Sequence, residues 1–338
     1  MPHRRTRRVD IIVYPGFQSL EAVAPLAVFD HANDHLKSLG RAPLYAVAYT
    51  STALGWVRSD SIVQLEATRV IDGGDLPDVA LVVGTRAIET ALVESAALID
   101  WLREHGPRLD RLASMCSGSF FLAEAGLLDG KRATTHWNEA RAMQARYPQI
   151  EVDAQPIFVR AGHILTSAGV TSGVDLALAI VEDDLGREVA LSVARDLAVY
   201  LKRPGWQSQL SMHLSSQMSC DPTFRELQEW ILSSLNQPLH LDRLAAQASM
   251  APEALEAAFL AHTGVAHQEF VETARFELAR ALIEDSAESP HVVAMRCGMV
   301  SVEHMDAVFT RRVGVSAGEF RERCLRRRQD VRSNDLEF

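Results

Sequence analysis

One cysteine is the most legible candidate for chemistry in this sequence. In Leu112-Ala-Ser-Met-Cys116-Ser-Gly-Ser-Phe-Phe-Leu-Ala-Glu-Ala-Gly126 an apolar, strand-like run stops at a thiol, and small residues open a helix directly after it. That is the pattern of a nucleophile elbow, a sharp strand-to-helix turn presenting one reactive side chain. Open backbone N–H groups and the positive end of a helix dipole beside the sulfur predict a thiol pKa below the ordinary value. Ser117 and Gly118 are small enough to leave their N–H groups open to a developing oxyanion. The competing reading is a buried, inert cysteine, the commoner fate of a free thiol.

An elbow needs a sheet to hold it. Val9-Asp-Ile-Ile-Val-Tyr14 reads as a buried first strand, broken by Pro15 and Gly16 and followed by helical apolar spacing over Leu20 to Leu36. Leu44 to Thr50 is a second strand and Ser61 to Leu65 a candidate third. Asp78-Val-Ala-Leu-Val-Val-Gly84 has the continuous apolar character of a central parallel strand. Ile88 to His105 reads as one amphipathic helix, Arg111 to Met115 as the elbow strand, and Asn138 to Arg146 as a further helix. Ile157 to Thr166 reads as a hairpin turning at Ala161-Gly162, and Thr171 to Asp184 and Leu185 to Leu201 as helices. Strands alternating with helices predict an α/β fold with a doubly wound parallel sheet. Ligands of such sheets bind beyond the carboxyl ends of the strands. The loop after the first strand, the Gly84 loop and the Cys116 elbow should therefore converge on one pocket.

The elbow, together with Gly126-Leu-Leu-Asp-Gly-Lys-Arg-Ala-Thr-Thr-His136-Trp, resembles the class I glutamine amidotransferase-like superfamily, which includes PfpI proteases and isocyanide hydratases. The likeness covers roughly residues 8 to 202. It implies an early acidic residue, here Glu21 in Leu20-Glu-Ala-Val-Ala-Pro25, and a downstream histidine, here His136. In an enzyme of this type the Cys116 thiolate would attack an isocyanide, aldehyde or acyl carbon. Glu21 would orient or protonate, the Ser117 N–H would hold the anion, and His136 would serve as acid or base. In a sensor the same pocket, with Ser117 and Gly84, would bind a small metabolite. Neither reading implies a cofactor or a metal.

The C-terminal third has another texture. Asp242-Arg-Leu-Ala-Ala-Gln-Ala, a turn at Ser249-Met-Ala and Pro252 to His262 read helix, turn, helix. Val292 to Gly298, Met299-Val and Ser301 to Val313 repeat that plan, with a long helix from Ala266 to Asp285 between them. Two such units can place recognition helices in successive major grooves. Leu244-Ala, Pro252, Phe259, Thr263-Gly264, Ala279-Arg280, Cys297-Gly298, Phe309, Arg311-Arg312 and Gly314-Val-Ser316 resemble the AraC/XylS DNA-binding domain over about 222 to 328. With the elbow domain in front, the chain resembles the GlxA-like regulators. That order implies a sensor domain at 8–202, a Ser/Gln/Pro-rich linker at 203–222 and an all-α tandem helix-turn-helix domain at 223–328.

Charge argues against an indiscriminate grip on nucleic acid. The 338-residue chain carries a net charge of −10. Between Arg225 and Asp330, twelve arginines face sixteen carboxylates. The first recognition helix bears Glu253, Glu256, Ala257 and Ala261, and Ala251 stands where a Ser N-cap is usual before Pro252. Arg311, Arg312, His304, Ser301, Arg275 and Arg296 are the candidate DNA contacts, the first two late enough on their helix to suit phosphates. Arg321 to Arg328 and the Met1–Arg8 arm are the remaining basic segments. No apolar run is long enough to span a bilayer, and the basic start is followed by a strand without a cleavage site. Four scattered cysteines, with no metal-ligand spacing, suit a reducing cytoplasm. These features together predict a cytoplasmic, homodimeric transcriptional regulator. Its partners are promoter DNA and a small nitrogenous or amino-acid-derived effector, whose binding shifts the placement of the reader domains through the linker.

Overall fold

The computed structural model describes residues 5–199, 209, 221–285, 288–322 and 324–325. The chain divides into two compact units, Met1–Gln209 and Leu210–Phe338. Of the expected linker at 203–222, only Gln209, Asp221 and Pro222 lie among the described residues.

The first unit begins with β1 (Arg7–Ile12), α1 (Ser19–Ser38), β2 (Tyr45–Ser51), the hairpin β3 (Gly55–Arg58) and β4 (Gln64–Ala67), β5 (Arg69–Val70) and β6 (Val79–Val82). It continues with α2 (Ile88–Glu94), α3 (Ala96–His105), β7 (Arg111–Met115), α4 (Ser119–Glu124), β8 (Arg132–Ala133), α5 (Ala140–Arg146) and β9 (Glu151–Val152). It closes with β10 (Phe158–Ala161), β11 (Ile164–Ser167), α6 (Ser172–Leu185) and α7 (Arg187–Asp196). Seven strands form the main sheet in the order β10-β11-β7-β6-β1-β2-β5. All pairs are parallel except the edge pair of β10 on β11. Strand order reverses between β1 and β6, which opens the crevice that doubly wound sheets use for ligands. The central strands are apolar throughout because helices cover both faces: Val79 to Val82 are wholly buried, as are Leu112 and Ala113.

The expected single helix over Ile88 to His105 is two helices broken at Ser95, whose N–H closes α2 on the Ala91 carbonyl. The periodicity hid the break because Ile88, Ala91 and Leu92 are buried on one side of it and Leu98, Ile99 and Leu102 on the other. Gly186, at φ +88°, separates α6 from α7. Of the candidate strand at Ser61 to Leu65 only Gln64 and Leu65 are strand; β4 runs Gln64–Ala67 and forms the second half of a hairpin whose first strand carries an exposed Trp56, a pattern with no buried run to announce it. The Met1–Arg8 arm is not a free basic tail over its described part. Arg5 pairs with Asp78, Arg7 with Asp184, and Arg8 with Asp75.

The second unit contains α8 (Pro222–Ser233), α9 (Leu241–Ala248), α10 (Pro252–Thr263), α11 (His267–Asp285), α12 (Pro290–Arg296) and α13 (Val302–Val313). The expected linker ends in the cap of α8, where the Asp221 carboxylate accepts from the N–H groups of Thr223 and Phe224 at 2.9 and 3.3 Å. Phe224 and Leu227 on α8 pack with Leu244, Leu255, Phe259 and Phe270 into one core. The two helix-turn-helix pairs, α9–α10 and α12–α13, match the sequence reading closely.

Candidate functional site

The elbow is held in a strained conformation. Cys116 sits at φ +51°, a left-handed backbone that only a few non-glycine residues adopt. Its N–H donates to the Ala168 carbonyl at 2.9 Å. Its own carbonyl accepts from the Ser119 and Thr135 hydroxyls at 3.1 and 3.0 Å. A Cβ on Gly118 would lie 2.5 Å from the Val82 oxygen and 2.9 Å from that of Val83, so only glycine lets the turn pass this close to β6.

Glu21 meets the elbow from the first turn of α1. It is fully buried, and its Oε2 accepts the Gly84 N–H at 2.6 Å. Burial raises its pKa to about 7, against the pull of the Gly84 N–H and the Cys116 thiol, with Asp60 adding repulsion. Oε1, also buried, has no N–H or O–H partner among the described residues, and the Cys116 thiol stands beside the carboxyl. Pro25 lies inside α1 and has no N–H to return to the Glu21 carbonyl four residues earlier. Gly84 is a crossing point: a Cβ there would lie 2.8 Å from Glu21 Oε2 and 2.9 Å from Ser117 Oγ.

The thiol departs from the sequence expectation. Its pKa is raised, not lowered, because the side chain is buried and the Glu21 carboxyl stands beside it, with the Ser117 N–H the opposing influence. The expected helix dipole is weak here: residues Cys116–Gly118 form a 3-10 turn, and α4 beyond it is only six residues long. Cys116 keeps 7% of its surface exposed.

The other expected site residues hold particular places. Ser117 Oγ is committed to Thr85, accepting from its N–H at 2.8 Å and donating to its carbonyl at 2.6 Å, so only its backbone N–H serves the sulfur. Gly84 directs its N–H to Glu21 rather than to a ligand. His136 packs against Gly169, lies beside the Trp137 ring and bonds Asn138 through Nδ1. No hydrogen bond joins it to Cys116 among the described residues. Sequence reasoning missed Thr85, Thr135, Asp60 and above all Gln209. The Gln209 amide donates to Thr134 Oγ1 at 3.2 Å and to the Thr135 carbonyl at 2.8 Å, and its N–H donates to the Gln155 carbonyl at 2.8 Å. Its position inside a polar linker gave no sign of that docking.

In the second unit, several expected DNA contacts serve the fold. Arg275 donates from Nε to the Leu235 carbonyl at 3.1 Å and from Nη2 to that of Gln237 at 2.7 Å, against Gly298, where a Cβ would collide with the Leu235 oxygen. Arg312 bonds Glu269, Glu272 and Thr273 at 2.8, 3.1 and 3.0 Å and stacks on Phe276. Both therefore serve as internal ties in this structure. Arg296 pairs with Glu288 at 2.6 Å. Arg311 pairs with Glu272 at 2.6 Å yet stays 62% exposed. Ser301 caps α13, accepting the His304 N–H at 3.2 Å. Several carboxylates that seemed hostile to DNA are also structural. Glu256 bonds His267, and Asp306 accepts the Ala317 N–H at 2.8 Å. Of the basic segment Arg321 to Arg328, Arg321 donates to the Glu288 carbonyl, and Arg323 and Arg326 to Arg328 lie outside the described residues.

Comparison with known proteins fits both units. The DJ-1/PfpI family model matches residues 7–183, and a helix-turn-helix domain model matches residues 244–323. The HTH-type transcriptional regulator CdhR of Pseudomonas aeruginosa is 28% identical over 92% of this chain and 90% of its own length. An isonitrile hydratase of Pseudomonas putida is 30% identical over 60% of this chain and 82% of its own. A crystal structure of an AraC family transcriptional regulator from Pseudomonas putida has the same fold over 56% of this chain and 99% of its own, with a TM-score of 0.50 at 24% identity.

Proposed function

The chain belongs to the DJ-1/PfpI family and joins that domain to an AraC-type helix-turn-helix reader, and from this premise we propose a transcriptional regulator whose elbow pocket senses a small molecule. One observation carries the coupling. Gln209, from the segment leading to the reader, is bonded to Thr135, and Thr135 is bonded to the Cys116 carbonyl. A ligand that shifts the elbow thereby acts on Gln209 through two hydrogen bonds. Such a ligand alters DNA binding only by as much as it prefers one linker state over the other.

The pocket's chemistry narrows the ligand. Glu21, Asp60 and Glu139 all act on the carboxyl–thiol pair, with Arg86 paired to Asp60 at 3.2 Å. A predominantly acidic surround favours a cationic or hydrogen-donating nitrogen. This agrees with an amino-acid-derived effector. The regulator is read as a cytoplasmic homodimer, which sizing with light scattering checks.

The isonitrile hydratase relative supports a second reading in which Cys116 turns over substrate. The raised thiol pKa weighs against it, since the thiolate is the nucleophile. The two separate in one experiment. The full chain is titrated onto its own upstream intergenic DNA at several salt concentrations, with the twenty amino acids and their N-methylated and decarboxylated derivatives added in turn. A regulator gives salt-sensitive binding that at least one compound changes. An enzyme gives no specific binding, and hydrates an isocyanide in a manner abolished by Cys116→Ser.

A further inference from the structure

The two recognition helices, α10 and α13, align residue for residue, and their buried sides agree. Leu255 matches Met305, Phe259 matches Phe309, and left-handed Gly264 ends the first as Gly314 ends the second. Their exposed sides do not agree. On α10 the exposed residues are Glu253, Ala254, Ala257, Leu260, Ala261 and His262, whose ring stacks on Phe224; on α13 they are Glu303, His304, Ala307, Thr310 and Arg311. Glutamate and alanine recur at two of these places. At three more, His304 stands against Ala254, Thr310 against Leu260, and Arg311 against Ala261, and in the last turn exposed His262 stands against Arg312, which is tied to Glu269 and Glu272.

That difference falls on the groups able to read DNA. Base pairs in the major groove are told apart by hydrogen-bond donors and acceptors and by the thymine methyl. Apart from His262, which lies in the last turn with its ring stacked on Phe224, α10 exposes aliphatic carbon, Leu260 at 54%, with one carboxylate that phosphates repel. α13 carries an oriented donor near its start, where recognition helices meet base edges. His304 Nδ1 accepts the Val300 N–H at 3.4 Å, so the ring proton sits on Nε2. An Nε2–H suits the N7 or O6 of guanine, or the N7 of adenine. Thr310 and Arg311 lie in the last turn, and Arg311 uses one nitrogen on Glu272, leaving further donors for phosphate.

We infer that sequence readout by this chain is one-sided: α13 reads the bases, with His304 as the specificity-determining residue and Arg311 as a phosphate anchor, and α10 docks without hydrogen-bonded base contacts. Each chain therefore recognises one block of base pairs rather than two blocks a helical turn apart. The inference rests on the DNA-binding reading and sharpens it.

The test is a full base-pair scan. Every position of the bound upstream fragment is substituted singly, and the affinity of the full-length protein is measured by fluorescence anisotropy at fixed salt. One contiguous sensitive block per chain is expected, with single substitutions weakening binding by about 5- to 150-fold. His304→Ala flattens the response at one or two positions within that block, and Glu253→Ala leaves the profile unchanged. A second block about 10 bp away in the wild type overturns the inference. So does sensitivity there to thymine→uracil, which would mean that α10 reads methyl groups through its alanines, and so does a profile that His304→Ala leaves intact. Salt-sensitive binding with no sequence dependence overturns it while leaving DNA binding in place. No binding in dilute salt overturns both.

Discussion

The elbow and the reader surface both gather polar side chains, and they do so by opposite rules. At the elbow the groups are buried, the backbone is strained, and glycines at 84 and 118 mark contacts too close for any side chain. Among the described residues, Glu21 Oε1 has no N–H or O–H partner. On the reader the groups lie near the surface and pair among themselves, as Arg312 does with Glu269 and Glu272. The first arrangement suits selection of a small ligand from water. The second ties the reader's helices to one another, and on the reading proposed above His304 and Arg311 are the donors that face the nucleic acid. Affinity then depends on few phosphate contacts, and the salt slope of binding should be shallow.

Mutations can break or sharpen this contrast. The largest effect is expected at Gly118→Ala, where the added methyl meets two carbonyl oxygens of the central sheet. A loss of about 3 kcal/mol or more in chemical denaturation of the sensor domain is expected, and a loss under about 1 kcal/mol would mean the elbow is softer than argued. On the reader, Arg312→Met removes three hydrogen bonds and leaves Glu272 with Arg311 alone, costing about 2 kcal/mol. If stability is unchanged and DNA affinity falls instead, Arg312 belongs to the interface after all.

A pH test isolates Glu21. Its folded pKa, about 7, lies above its ordinary 4.5, so the folded state holds this proton over a range where the unfolded chain has released it. Its contribution is full below about 4.5 and is lost as pH rises through about 7, with a slope approaching about 1.4 kcal/mol per pH unit between them. Glu21→Gln should remove that slope from denaturation curves, and an identical slope in the variant would assign it elsewhere. The smallest effect is a gain. Ala251→Ser restores to α10 the side-chain cap that α13 has in Ser301, raising stability by about 1 kcal/mol.

Much of this was legible in the sequence. The elbow strand Arg111–Met115 falls where its apolar run ends, and both helix-turn-helix pairs follow from periodicity and their Pro and Gly punctuation. What the sequence hid has physical causes. Ser95 breaks a helix without interrupting its apolar face, so periodicity could not reveal it. The thiol's environment depends on Glu21, which is distant in sequence, and local reasoning from a helix dipole gave the wrong direction. The internal ties of Arg275 and Arg312 were not legible because their partners lie 38 to 43 residues away. Gln209 looked like linker because a docking amide has no signature of its own.

The central claim is that the state of the elbow reaches the reader through Gln209. It is tested most directly by Cys116→Met in the full-length protein, which alters the side chain at the elbow without requiring the buried thiol to react. Folding is verified by circular dichroism, and DNA affinity is compared with that of the unaltered chain. The account predicts a change of about 5-fold or more, which disappears when Gln209→Ala is added. An unchanged dissociation constant in the folded variant would contradict it.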